Sequence, residues 1–191
     1  MRLQSALATS AAVTGLLISS SAAAHHISDT GAMLAGVAHP FLGLDHVLAM
    51  LAVGLWAAQI GGRALWAVPL AFVAMMGGGG LLAIAGIALP VVEAGIAASV
   101  LVLGLFVTLA VRLPLAAGMA LTGTFALFHG HSHGVELPAM ASPLAYAMGF
   151  LVATGLLHLM GVVAGRALNM RRLQVAGACI TIAGAALVAG L

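Results

Sequence analysis

Two short stretches carry nearly all the chemistry open to this chain. The first is His39-Pro40-Phe41-Leu42-Gly43-Leu44-Asp45-His46, which sets two imidazoles and a carboxylate at the head of an apolar run reaching Ile60. The second is His129-Gly130-His131-Ser132-His133-Gly134-Val135-Glu136, three imidazoles and a carboxylate within eight positions. Neutral imidazole together with carboxylate oxygen is the donor set that suits borderline divalent metals such as nickel, cobalt, zinc or copper. Ionisable groups at the head of so apolar a segment are costly unless they face a cavity, a partner or an ion.

The spacing refines this. His39 and His46 stand seven residues apart, which is two helical turns, so a continuous helix presents them on one face with Met50 one turn deeper. Asp45 projects about 100° away from His46. It either ligates from a neighbouring angle or orients an imidazole. Taken singly, His39 reads as an interfacial histidine and His46 as a packed, hydrogen-bonded one. In the second stretch, alternate imidazoles share a face if the backbone is extended, and His129 and His133 share one if it is helical. Gly130 and Gly134 favour a loop or a broken helix end. The plain alternative is a solvated, His-rich loop. His25 and His26 are candidates for metal capture, as is His131. His158 lies deeper, as a neutral core histidine or as an inner metal or proton relay.

The elements that must position these groups are membrane helices. Hydrophobic residues make up 63% of the chain and charged residues 5%, whereas a soluble domain carries about a quarter charged residues. A span needs about 20 apolar residues. The few charges and turn residues then divide the chain into six spans, about 41–60, 65–89, 94–111, 114–129, 143–165 and 173–191. The polar segments left over are 25–39 and the loop 130–142. The expected fold is an all-α integral membrane protein, a six-transmembrane helix bundle following a cleavable signal peptide. That signal is 1–24, with Arg2, a modest apolar core and Ala22-Ala23-Ala24 as the small-residue cleavage site.

Charge orients the bundle. Arg63, Arg112, Arg166, Arg171 and Arg172 fall after spans one, three and five, and the four acidic residues avoid that side. By the positive-inside rule the amino and carboxyl ends are exported, at the periplasmic face of a bacterial inner membrane. Trp56 and Trp66 flank the first cytoplasmic turn as an aromatic belt would. Seven of the eight histidines, all but His158, lie on the exported half with every carboxylate. No arginine is at hand to neutralise Asp45. Gly77 to Gly80, Gly155, Gly161 and Gly165 permit close helix approach; alternatively the Gly77 to Gly80 run is an unwound segment like those of discontinuous transporter helices.

Other functions are excluded by what is missing. There is no lysine, hence no P-loop nucleotide site. Six arginines are too few to track a phosphate backbone, so nucleic acid is not a partner. Cys179 is the sole cysteine; it forms no internal disulfide and reads as a small buried hydrophobe. An intramembrane metallohydrolase would want an H-E-x-x-H helix, and no glutamate lies within a span, so no enzyme is expected. Met75, Met76, Met119, Met148 and Met160 read mainly as packing residues.

With both motifs in view the chain resembles the HupE/UreJ family of hydrogenase and urease accessory membrane proteins. The resemblance rests on His39-x5-Asp45-His46 followed by Leu48-Ala49-Met50-Leu51-Ala52-Val53-Gly54-Leu55-Trp56, and on Phe128 through Pro138. It extends over the whole length, including the leading signal, the Gly61-Gly62-Arg63 turn and six spans. It implies a nickel or cobalt permease in which His39, Asp45, His46, His129, His133 and Glu136 are the functional residues. The metal is then cargo rather than a permanently bound cofactor. Expected partners are membrane lipid, a metallochaperone or further copies of the chain. A rival from another class is a membrane-embedded metal-binding or sensing module that hands metal on without transporting it.

Overall fold

Blocks of apolar sequence separated by Gly, Pro and Arg fold here as helices, and every regular element among the described residues is helical. The structure, a computed structural model, describes residues 29–137 and 142–190. The expected signal segment, with His25 and His26, lies outside them. The elements are α1 (Asp29–Ala38), a 3-10 turn (His39–Phe41), α2 (Leu44–Ile60), α3 (Ala64–Ile84), α4 (Val92–Leu109), α5 (Leu115–Val135), α6 (Pro143–Ala167) and α7 (Met170–Ala189). Local chemistry sets several boundaries. Pro143 opens α6 beside the capping side chain of Ser142, and Asn169 caps α7 by accepting from the Arg172 amide at 3.0 Å. Gly61 and Gly62, at φ 77° and 55°, make the tight α2–α3 turn in a conformation that other residues adopt at a cost.

Helices α3, α4, α6 and α7 are each long and apolar enough to cross a membrane. The pair made of Asp29–Phe41 and Leu44–Ile60 passes the same test together, as one span bent by 80°. Helix α5 spans 21 residues, about 31 Å, but its last third carries the imidazoles, which lowers its hydropathy. The chain is therefore a multi-pass helical membrane protein, with four spans evident from length and composition among the described residues, and five where the bent pair counts as one span rather than a re-entrant loop.

Three expected boundaries are corrected. The polar segment expected before His39 is helical from Asp29, as α1, and Gly36 and Gly149 let it lie directly on α6. The second helix stops at Ile84 rather than Leu89, where Gly86 turns to φ 74°. Most consequentially, α5 does not end near Phe128 but runs on through both glycines to Val135.

Helix α2 is the hub, packed against α3, α4, α6 and α7 and burying Met50, Val53, Trp56 and Ala57 completely. Trp56 is accordingly no interfacial anchor: its indole N–H donates to the Val111 carbonyl at 2.8 Å inside the bundle. Trp66 is exposed, with the Arg63 guanidinium 5.9 Å from its ring. Cys179 faces outward on α7 rather than inward. The intimate pairs are α3 with α5, α4 with α7, and α6 with both α1 and α2.

Each of these pairs is closed by glycine. A Cβ at Gly79 would strike the Leu127 carbonyl, and one at Gly130 would strike that of Met76. Gly54 and Gly161 play the same part between α2 and α6, against His158 and Leu51. Helix α3 runs unbroken through Gly77 to Gly80, so that run is not an unwound segment, and within it Gly79 makes the close approach. Gly130→Ala is expected to cost about 1–3 kcal/mol by forcing α3 and α5 apart. Gly77→Ala, where nothing lies within 4 Å, should be neutral or stabilising by about 0.5–1 kcal/mol. Thermal unfolding of the two detergent-solubilised variants checks both signs.

Candidate metal centre

The continuation of α5 as helix decides which imidazoles meet. His129 and His133 are one turn apart and face inward; His131, two positions from each, faces the loop after α3. There its Nε2 lies 2.9 Å from the Ile87 carbonyl and 3.3 Å from the Leu89 amide. It donates to the first or accepts from the second according to tautomer, and in both cases Nε2 is committed to holding that loop.

On the other side of the centre the chain breaks. His39 begins the 3-10 turn, and Gly43 is extended before α2 restarts at Leu44. His39 and His46 therefore do not share one continuous helical face. They converge nonetheless, from the two sides of the bend, on His133. The His39 and His133 ring centroids are 4.8 Å apart and those of His46 and His133 are 4.1 Å apart. The His39 imidazole donates from Nε2 to Glu136 Oε2 at 3.1 Å, and His133 Nδ1 stands 3.5 Å from the same oxygen. One donor atom from each of His39, His133 and Glu136 lies within 4.8 Å of the others. A bound d-block ion would draw such atoms to about 2.0–2.2 Å from itself, which needs only a small side-chain contraction.

Asp45 takes the orienting role of the two its spacing allowed. Its Oδ1 accepts from the His46 ring Nδ1–H at 2.9 Å and from the His46 amide at 2.8 Å. The hydrogen on Nδ1 leaves Nε2 as a bare lone pair, and that buried atom has no partner among the described residues. A carboxylate holding an imidazole by one nitrogen while the other faces the metal is a common tuning device at metal sites. Gly43 makes room for it, since a Cβ there would sit 2.7 Å from Asp45 Oδ1 and 2.9 Å from His46 Nδ1.

His129 is set the same way by a different residue. The Ser99 hydroxyl donates to the Ile96 carbonyl at 2.6 Å, so it can only accept from His129 Nε2, 2.8 Å away. His129 Nδ1 is then the bare, buried nitrogen without a partner among the described residues. Its ring lies 4.6 Å from that of His46, edge to face. His158 sits farther in, across Phe72, and joins no metal-ligand group at the mouth.

A cavity of about 280 Å³ opens onto this cluster, lined by His39, Asp45, His46, Glu93, His133 and Glu136 among others. The two sequence stretches thus meet at one cavity. Four residues with a part in it were not expected: Glu93 on the wall, Ser99 and Gly43 as positioning residues, and Phe72 beneath. Glu93 was open to discovery as one of only four carboxylates on the histidine-bearing side, and Ser99 as the lone hydroxyl in the first half of α4. Gly43 and Phe72 carry no signal apart from a structure.

The hydrogen-bond logic is testable without metal. With isotope-labelled histidine, nitrogen NMR should show His46 protonated on Nδ1 and His129 on Nε2 in the metal-free protein. Ser99→Ala should scramble only the second and Gly43→Ala mainly the first.

The profile of the HupE/UreJ protein family matches residues 12–187. Protein HupE of Rhizobium leguminosarum bv. viciae is 47% identical over 186 residues, covering 93% of this chain and 95% of that protein. No solved structure matches. The profile match and the similarity over nearly the whole chain agree, and the chain belongs to the HupE/UreJ family.

Proposed function

We propose that the protein is a permease of the bacterial inner membrane that takes up a divalent transition metal, nickel or cobalt, from the periplasm for the maturation of a hydrogenase or urease. The observation that carries this reading is the convergence of His39, His46, His133 and Glu136 on one mouth cavity. Asp45, Glu93 and Glu136 bring carboxylates to that end of the bundle. Arg63, Arg112, Arg166, Arg171 and Arg172 all stand at or beside the turns after α2, α4 and α6, at the opposite end. Those carboxylates, with no arginine at their end, draw a cation from outside, and imidazole donors favour a d-block ion over magnesium or calcium.

The arginine-bearing turns orient that opposite end to the cytoplasm, which makes the mouth periplasmic. Six passes follow if the bent α1–α2 pair and α5 each count as one. Inward movement of a dication gains about 4.6 kcal/mol per 100 mV, roughly three decades of accumulation, without nucleotide. His39, His133 and Glu136 take the hydrated ion first. His46, aimed by Asp45, and His129, aimed by Ser99, offer the next nitrogens.

Cells supplied with limiting radioactive nickel test this. At matched protein level, His46→Ala and Glu136→Gln should each lower accumulation by about tenfold or more. Unchanged uptake in either variant would remove that residue from the path. Purified protein in liposomes separates transport from mere delivery: metal binding without potential-driven flux would favour a handover module.

A further inference from the structure

His158 belongs to no hydrogen-bond network. It is 1% exposed, yet neither ring nitrogen has a partner among the described residues. A buried neutral histidine normally secures at least one carbonyl or hydroxyl, and leaving both nitrogens bare is costly. The nearest candidate on its own helix is Thr154, one turn earlier on the same face of α6. That hydroxyl is instead directed to the Met76 sulfur, 3.9 Å away.

The surroundings form a small facing array. Phe72 and Met76 are one turn apart on α3, and Thr154 and His158 are one turn apart on α6. The two faces meet at Phe72 with His158, centroids 5.0 Å apart and edge to face, and at Met76 with Thr154. All four side chains are fully buried. Phe72 also lies 5.7 Å from His129. Its ring therefore stands between the innermost imidazole of the mouth and the isolated imidazole below. The backbone around His158 cannot retreat, because Gly54 lies directly on its carbonyl.

We infer that His158, with the Met76 thioether and the Thr154 hydroxyl beside it, is a second, inner transit site for the transported metal, reached from His129 past the Phe72 ring. This rests on the reading of the protein as a metal permease. The chemistry of the donors is specific. The imidazole and the thioether favour a borderline d-block cation over magnesium or calcium, to which only the single hydroxyl is a matched donor. They also bind it without a carboxylate, so the ion is held loosely enough to leave. No bond is made or broken beyond ligand exchange.

The experiment uses the full protein in liposomes with an imposed potential, cobalt and zinc as probes, and wild type beside His158→Leu and His158→Cys. The cobalt absorption spectrum of the mouth site and gel filtration should be unchanged in all three. His158→Leu should lose flux of both metals by about tenfold or more. His158→Cys should keep flux and shift the zinc-to-cobalt ratio toward zinc by roughly tenfold, because a thiolate replaces a nitrogen donor. A leucine variant that transports normally overturns the inner site, as does a cysteine variant that is as inactive as leucine or keeps the original metal ratio. If the leucine variant does not fold, the metal ratio of the cysteine variant decides alone. Absence of flux in the wild-type protein overturns the permease reading and the inner site with it, so the two failures are told apart.

Discussion

The constraint on which the rest depends is backbone-to-backbone contact between α3 and α5. Lipid tails are as apolar as the side chains facing them, so helices in a membrane gain little from hiding leucine and much from fitting closely. Gly79 and Gly130 bring the two helices into carbonyl contact at Leu127 and Met76. That contact fixes the rotation of α5. With Gly130 turned to α3, His129 and His133 must face α2, and His131 must face the loop beyond Ile84. One pair of glycines thus sorts three neighbouring imidazoles into two for the centre and one for the scaffold.

Against this rigid wall the other half of the site is deliberately irregular. A straight helix through His39 and His46 would set their Cα atoms about 10 Å apart along its axis, too far for both rings to meet a single His133. The 3-10 turn, extended Gly43 and the 80° bend fold the intervening residues away, and both rings then reach it. The same break frees Asp45 at the first turn of α2, where its carboxylate closes back on His46. Irregular backbone at the membrane margin is tolerated where it lines a wet cavity, which is its situation here.

Much of this was legible in the sequence, and what was not has physical reasons. The apolar blocks, the arginine-bearing turns and the two His/acid stretches were readable because hydropathy and charge act locally. The inward-facing side of α5 was not. Gly130 and Gly134 are poor helix formers, and only their contact with α3 overrides that preference. Trp56 looked interfacial because it lies near a turn, yet its indole finds the Val111 carbonyl, a partner in the distant connection after α4 that no local pattern reveals. Helix α1 was hidden for the same reason, since its glycine contact with α6 bridges more than a hundred residues. Asp45 allowed two roles by spacing, and only the break at Gly43 chose between them.

The distribution of charge along the imidazole row bears on how an ion could pass rather than stop. Solvent access falls from Glu136, 53% exposed, through His39 at 25% to His129, fully buried. Formal charge falls with it: the carboxylates stand at the mouth, and below His46 only neutral donors remain. Full negative charge deep in the bundle would bind a dication too strongly to release it, while no charge at the mouth would leave its water shell uncompensated. On the proposed function, placing carboxylates where water still reaches and bare nitrogens where it does not would make capture strongest at the surface. Each later step would then exchange one neutral ligand for another of similar strength, a ladder down which a modest membrane potential would be enough to drive net movement.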